Sequence, residues 1–133
     1  MTRLVRLDAD RLAYLPGEVT DSLKGGGIVI YPTDTLYGLG ADPRSAAGLA
    51  RLFAVKLREE GKPIPLLLAG AEEAGRYARD VPEAARRLMG RFWPGGLTIV
   101  MRKLDTFRSV ALAGQDRIAL RVPDHDLVRE IIR

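Results

Sequence analysis

Residues 25–40 of the chain read Gly25-Gly26-Gly27-Ile28-Val29-Ile30-Tyr31-Pro32-Thr33-Asp34-Thr35-Leu36-Tyr37-Gly38-Leu39-Gly40. The first half is a short apolar run between glycine and proline, which is typical of a buried β-strand. The second half adds hydroxyls, a carboxylate, a tyrosine and two glycines. Polar groups that follow a buried strand are where α/β sheets place ligand chemistry. We therefore predict a strand over residues 27–31 and a ligand-binding loop directly after it.

The composition is that of one ordinary globular domain. The chain has 133 residues, of which 47% are hydrophobic and 29% charged, enough for a core without disulfides or metal. It has no cysteine, which excludes a disulfide framework, a thiolate zinc site and a cysteine nucleophile, and its one histidine, His125, cannot form a zinc site alone. No apolar run reaches the length of a membrane span and no signal peptide is evident, so a cytoplasmic location is expected.

The charge balance is basic. The chain has 21 Lys and Arg against 17 Asp and Glu, a net charge of +4, and its isoelectric point is about 9.8. Such a balance suits polyanionic ligands, either nucleotides or nucleic acid. The arginines are scattered, however, and solvated helix faces explain the charge equally well. Charge alone does not decide the ligand.

Strand and helix patterns alternate along the chain. We predict helices over residues 16–24, 45–56, 71–78, 82–92 and 124–133, and strands over residues 3–7, 27–31, 63–68, 97–101 and 118–122. Ser45 or Asp42 can cap the second helix, and residues 80–83 form a candidate capping box for the fourth. This alternation predicts a single α/β domain with a mixed sheet, because some of the connections are short.

Three further polar segments accompany the loop. Residues 56–63 carry Lys56, Arg58 and Lys62 just before a buried strand. One cation at a helix C-terminus is stabilised by the helix dipole alone, whereas three together suit a triphosphate.

The other two segments are residues 92–98 and 120–125. The first is an aromatic turn that delivers Thr98 onto a strand, and core packing plus a turn would explain the rest of it. The second places Arg121 in an apolar strand, where a buried guanidinium must find a carboxylate or phosphate.

In this order the four segments resemble the YrdC/TsaC family of threonylcarbamoyl-AMP synthases. The matching motifs are Pro32-Thr33-Asp34-Thr35-Leu36-Tyr37-Gly38-Leu39, Lys56-Leu57-Arg58 with Lys62-Pro63, Trp93-Pro94-Gly95-Gly96-Leu97-Thr98 and Arg121-Val122-Pro123-Asp124-His125. The resemblance runs from about residue 25 to the end of the chain. It implies a twisted, mixed parallel and antiparallel sheet with flanking helices around an open basic cavity.

The resemblance also implies a reaction. Family members combine L-threonine, bicarbonate and ATP, with Mg²⁺, to form threonylcarbamoyl-AMP and pyrophosphate. A downstream tRNA threonylcarbamoyl transferase then passes the threonylcarbamoyl group to an adenosine of tRNA. Because a carbamate carboxylate attacks the α-phosphorus, catalysis consists mostly of positioning and charge neutralisation.

Carried over position by position, the resemblance implies roles for individual residues. Thr33 and Tyr37 would line the threonine pocket, and Arg121 would bind the threonine carboxylate. Asp34 is expected to fix the loop through an Asx-type hydrogen bond. His125 is expected to cap or pack against the last helix.

The nucleotide site is implied in the same way. Lys56 and Arg58 would be catalytic, holding the phosphates and the charge that develops on them. Lys62 and Thr98 would complete nucleotide binding. No metal-ligating residue is expected.

Two departures from the family pattern stand out. Glu59 follows Arg58 where the family has proline, and Glu60 stands beside it. These carboxylates could weaken phosphate binding or position a metal ion. The family also continues to a Ser-Ala-Asn motif, whereas this chain ends at Arg133. We therefore expect a fragment or a shortened form whose cavity is incomplete.

Two other functions compete with synthesis. A YrdC-like module could bind double-stranded RNA or tRNA without catalysis, although single-stranded binding usually needs more exposed aromatic residues than this chain offers. A carbamoyl-adenylate-forming domain like that of hydrogenase maturation proteins is also related. The absence of cysteines and flanking domains disfavours it.

Overall fold

A computed structural model describes residues 2–6, 14–57, 59 and 61–133. The helices are α1 (Leu15–Lys24), α2 (Ala46–Lys56), α3 (Glu83–Phe92) and α4 (Asp126–Ile132), with 3₁₀ turns at Ala71–Arg76 and Val110–Leu112. The strands are β1 (Val29–Tyr31), β2 (Gly38–Gly40), β3 (Leu66–Leu67), β4 (Ile99–Arg102) and β5 (Arg117–Arg121). None of the helices in these ranges is long and apolar enough to cross a membrane.

The strands form two sheets. β1 and β2 make an antiparallel ribbon in which Tyr31 pairs with Gly38. In the second sheet the order is β3-β5-β4, with β3 parallel and β4 antiparallel to the central β5. The mixed sheet with flanking helices confirms the predicted fold class.

One face of the three-stranded sheet carries the main core. Side chains alternate along β4 and β5, so that Ile99, Met101, Ile118 and Leu120 are buried. They form one cluster with Ala74 of the first 3₁₀ turn, with Ala85 and Met89 of α3, and with Trp93 directly after α3. The opposite face of this sheet is open, since Val100 on β4 is exposed.

A smaller cluster holds the β1–β2 ribbon. Leu49 and Leu52 of α2 pack with Ala111, and Leu39 of β2 lies against them. The hydroxyl of Ser109 donates to the Pro43 carbonyl at 2.6 Å, which ties the second 3₁₀ turn to the segment before α2. The ribbon is therefore fastened to α2, and its loop extends toward the larger sheet.

The helix over 45–56 is confirmed, and its cap is Ser45, whose Oγ accepts from the Gly48 amide at 3.1 Å. The strand over 3–7 is wrong, since residues 2–6 form no strand and residue 7 lies outside the described residues. The capping box at 80–83 is also wrong, because Pro82 occupies the N-cap and Asp80 turns into the left-handed region with φ 48°. The helix over 71–78 shortens to a 3₁₀ turn because Ala78 pairs with Lys103.

Two glycines of β2 accommodate the ring of Tyr31. A Cβ on Gly38 would lie 2.5 Å from Tyr31 Cε2, and one on Gly40 would lie 2.8 Å from Tyr31 Cε1. No side chain fits at these distances, so glycine is required for the ring to lie across the ribbon. No strand was predicted at β2 because two of its three residues are glycine, which is depleted in strands.

We predict that Gly38→Ala lowers the free energy of unfolding by about 1–3 kcal/mol, because the Tyr31 ring must move. The matched control is Gly90→Ala in α3, where a Cβ meets nothing within 4 Å. That change should leave stability unchanged or raise it by up to ~1 kcal/mol. Urea unfolding followed by circular dichroism measures both, and equal effects would refute the close approach.

Candidate functional site

The loop between β1 and β2 is organised by Thr33. Its Oγ1 accepts hydrogen bonds from the amides of Thr35 and Leu36, both at 3.2 Å, and donates to the Leu36 carbonyl. Such hydroxyl-to-backbone bonds replace the ladder bonds that the chain gives up in a turn. The Thr33 side chain therefore shapes the loop from within.

An ion pair joins this loop to the end of β5. Arg121 Nη2 donates to Asp34 Oδ1 at 2.6 Å, and the Asp124 amide donates to the same oxygen at 3.0 Å. The Arg121 side chain is 14% exposed and that of Asp34 20%. We expected only a local Asx-type bond from Asp34, but its carboxylate reaches across 87 residues of sequence to Arg121.

Arg121 also binds the aromatic turn. Its Nε donates to the Gly95 carbonyl at 2.8 Å, and its Nη1 donates to Thr35 Oγ1 at 3.2 Å. The turn is held further by the Gly95 amide, which donates to the Val122 carbonyl at 2.8 Å. The Trp93–Pro94 peptide bond within it is cis. One guanidinium thus connects the loop, the turn and β5.

Electrostatics at this junction favour the charged pair. Burial alone would raise the pKa of Asp34, but hydrogen bonds from the Asp124 amide and its own amide and the charge of Arg121 outweigh it, so the pKa is lowered. Burial raises the pKa of Tyr31, and nearby Arg121 offsets part of that rise. Asp34 is therefore an ionised partner of Arg121 at neutral pH.

Tyr37, predicted for the threonine pocket, and Thr98, predicted for nucleotide binding, belong to segments next to this junction. Tyr37 stands on the loop and is 78% exposed. Thr98 is exposed and directly precedes β4, where Ile99 pairs with Leu120, so Thr98 lies opposite Arg121 at the end of the sheet. The register thus brings Thr98 beside Arg121, while Thr33 and Tyr37 lie on the loop that Arg121 holds.

The cationic segment lies toward the other end of β5. Because β3 runs parallel to β5, the residues before β3 lie near the start of β5, and Gln115 Nε2 contacts the Gly61 carbonyl there at 3.5 Å. Lys56 is exposed at the end of α2, and Lys62 Nζ pairs with Glu59 Oε2 at 2.8 Å. Arg58 lies outside the described residues. Within the described ranges, Lys56 makes no hydrogen bond or ion pair with Asp34 or Arg121.

His125 occupies the N-cap of α4 but makes no side-chain cap bond, so the capping role is wrong. Its Nδ1 is buried without a hydrogen-bond partner in the part of the chain that the structure describes. That same part contains no group of three or more His, Cys, Asp or Glu that could hold a metal ion.

Two cavities of about 470 and 290 Å³ lie elsewhere on the molecule. The larger is lined by residues between 103 and 115, and the smaller by residues from 79–82, β4 and the start of β5. None of the six predicted site residues that the structure describes lines either cavity.

Residues 21–133 match the family model of the Sua5, YciO and YrdC proteins, which is described as "Telomere recombination". The chain belongs to the Sua5/YciO/YrdC family. This confirms the resemblance drawn from the four motifs.

Curated relatives of this family member are named threonylcarbamoyl-AMP synthase. The protein of Pyrococcus abyssi is 36% identical over 110 residues, covering 83% of this chain and 32% of the relative. The Bacillus subtilis protein is 34% identical, and the match covers 84% of this chain and 32% of the relative. The Halorhodospira halophila protein is 36% identical, and the match covers 77% of this chain and 54% of the relative. The chain thus spans about a third to a half of these relatives.

Solved structures of the family agree with the fold. Pyrococcus abyssi Sua5 complexed with L-threonine superposes with a TM-score of 0.82 at 32% identity, covering 96% of this chain and 36% of that one. MTH1692 from Methanobacterium thermoautotrophicum gives a TM-score of 0.74 at 35% identity, covering 98% and 62%. Escherichia coli YciO, at 24% identity with a TM-score of 0.78, supports the fold alone.

We predict a coupling energy of about 1–3 kcal/mol between Asp34 and Arg121 in a double-mutant cycle of Asp34→Asn and Arg121→Gln. The two side chains are 14% and 20% exposed, so solvent screens the pair only in part, and each single change leaves a charge without its partner. The coupling energy is obtained from urea unfolding at pH 7 of the wild type, the two single variants and the double variant. A value near zero would show that the pair contributes nothing.

The same cycle has a pH dependence. A carboxyl with a lowered pKa in the folded state stabilises the protein above its unfolded pKa of about 3.9, and this stability is lost as pH falls through the lower folded value. Between pH 5 and pH 2, wild type should therefore lose more stability than Asp34→Asn. In the Arg121→Gln background the difference should shrink.

Proposed function

We propose that this domain binds L-threonine and ATP and serves the formation of threonylcarbamoyl-AMP and pyrophosphate from L-threonine, bicarbonate and ATP. The observation that carries the proposal is the superposition of 96% of this chain on Pyrococcus abyssi Sua5 complexed with L-threonine. The names of the curated relatives support the same activity.

For threonine, we place the amino acid beside the loop held by Arg121. A guanidinium has five N–H donors, and the described contacts of Arg121 use three of them, one on each nitrogen. One N–H remains on each terminal nitrogen, in the fork geometry that binds a carboxylate. Arg121 can therefore hold the loop and still receive the threonine carboxylate, while Tyr37 covers the side chain.

The chemical step is an in-line substitution at phosphorus. The threonine amino group first adds to the carbon of bicarbonate with loss of water and forms a carbamate. A carbamate oxygen then forms a bond to the α-phosphorus of ATP, and the bond from that phosphorus to the bridging oxygen breaks, so pyrophosphate leaves. Lys56, Arg58 and Lys62 would neutralise the charge on the phosphates.

Mg²⁺ is proposed only as the ion that accompanies the phosphates of ATP. In proteins Mg²⁺ usually keeps several waters and binds through substrate phosphates and one or two carboxylates. Asp34, the carboxylate nearest the loop, already accepts from Arg121 and Asp124. No step is therefore assigned to a metal ion held by these residues.

We predict that Tyr37→Ala weakens L-threonine binding by about tenfold, the loss of one well-placed contact. Because Tyr37 is exposed, the free energy of unfolding should change by less than ~0.5 kcal/mol. Calorimetry with L-threonine measures the binding, with Tyr14→Ala, another exposed tyrosine, as the control. Unchanged affinity in Tyr37→Ala would remove this side chain from the pocket.

L-Valine is the matched ligand control, since it has the shape of threonine without the hydroxyl. Weaker binding of valine indicates a site that hydrogen-bonds the hydroxyl. Binding is the first measurement because this chain covers 32% of the Pyrococcus and Bacillus relatives. Pyrophosphate release with ATP, L-threonine and bicarbonate then tests catalysis. The proposal is refuted if the chain neither binds L-threonine nor releases pyrophosphate.

We predict that Glu59→Gln strengthens ATP binding, because it removes a negative charge 2.8 Å from Lys62. The increase should be two- to fivefold at low salt and should diminish at about 0.5 M salt, since both side chains are exposed and their interaction is screened. Fluorescence titration with a labelled ATP analogue measures it. Weaker binding in Glu59→Gln would mean that this carboxylate assists the nucleotide.

The second candidate is RNA binding without catalysis, which the net charge of +4 favours. Phosphate-driven binding must weaken steeply as salt rises. A salt titration with a short RNA duplex tests it beside the threonine titration. Tight, salt-sensitive RNA binding with no threonine affinity would support this function over synthesis.

A further inference from the structure

Two arginines face each other on the open side of the three-stranded sheet. Arg102 of β4 and Arg117 of β5 are direct partners in the antiparallel register. Directly opposed residues project from the same face with Cβ atoms about 4.5–5.5 Å apart. Because Ile118 and Met101 fill the core face, Arg102 and Arg117 project from the other face, and both are exposed.

This pair carries charge that the protein itself does not neutralise. Within residues 2–6, 14–57, 59 and 61–133, neither guanidinium makes an ion pair or hydrogen bond through its side chain. Like charges directly opposite in a sheet destabilise it. The neighbouring Arg79, by contrast, is matched by Asp105 at 3.0 Å and Asp80 at 3.5 Å.

The pair lines a half-open surface cleft. It has a volume of about 290 Å³, and its lining includes Arg79, Asp80, Pro82, Val100, Arg102 and Arg117. Small-molecule sites begin at roughly 300 Å³, so this cavity suits a compact ligand and not a whole nucleotide. Two uncompensated guanidinium forks at its wall suit an oxyanion with several acceptor oxygens.

We propose that Arg102 and Arg117 form a binding site for a compact phosphate anion, inorganic phosphate or pyrophosphate. The site lies apart from the Asp34–Arg121 junction, since Arg117 and Arg121 are four residues apart on one strand, about 13 Å. It does not depend on the proposed threonine and ATP site. The bound anion replaces the repulsion between the two arginines with two charge-assisted pairs.

The test is thermal unfolding of the full chain with and without pyrophosphate, at constant ionic strength set with NaCl. Pyrophosphate should raise the melting temperature of wild type. Arg102→Gln and Arg117→Gln should each lose most of that rise, with affinity lowered at least about tenfold by calorimetry. Arg87→Gln is the control. Arg87 is exposed on α3, the helix that packs on the other face of the sheet, so this variant should keep the wild-type response.

A second readout needs no ligand. Without pyrophosphate, Arg117→Gln should melt at the same temperature as wild type or higher, because the like-charge pair is gone. Equal stabilisation of all four proteins by pyrophosphate, or none in wild type, would overturn the site.

A short RNA duplex in the same assay distinguishes the source of the phosphate. Binding of pyrophosphate but not of the duplex at this pair supports the proposal. If the duplex binds through Arg102 and Arg117 while pyrophosphate does not, the proposal that the site binds a compact phosphate anion is wrong. Inorganic phosphate alone should bind more weakly than pyrophosphate, since it offers fewer oxygens.

Discussion

The ion pair between Asp34 and Arg121 is the contact on which the site depends. It links a loop carried by a two-stranded ribbon to a strand in the centre of a separate sheet. The two sheets rest on different apolar clusters, so hydrophobic packing alone does not determine where the loop lies. Charge-assisted hydrogen bonds of defined direction supply what packing lacks. Removing either partner leaves the other charge without its ion pair and loses the charge-assisted bond that holds the loop on β5.

The polar groups at this junction reinforce one another. Thr33 uses its hydroxyl to shape the loop and so presents Thr35 and Asp34 to the same guanidinium. Arg121 in turn holds the Gly95 carbonyl of the aromatic turn. The loop, the turn and the strand end are therefore ordered together before any ligand arrives. Such preorganisation lowers the entropy cost of binding a small polar substrate.

Much of this could be predicted from the sequence where a local pattern determined the outcome. The Ser45 cap, the helix after it and the apolar alternation of β4 and β5 follow from spacing and residue type. Asp80 could not be placed, because its left-handed backbone reflects a tertiary turn and not a cap. The hydrogen bond from Arg121 to Asp34 could not be predicted either, because no periodicity links residues 87 positions apart. Two signals were visible: Asp34 in the loop motif, and Arg121 in an apolar strand, which called for a carboxylate or phosphate without saying which.

The most direct measurement is native-state hydrogen exchange at the Asp124 amide, which donates to Asp34 Oδ1 at 3.0 Å. Asp124 itself is exposed, so slow exchange there requires the loop to stay docked on β5. We expect this amide to exchange slowly in wild type and rapidly in Asp34→Ala, while the Leu120 amide of β5 stays protected in both. Fast exchange at Asp124 in wild type, or equal protection in Asp34→Ala, would contradict the central role of this ion pair.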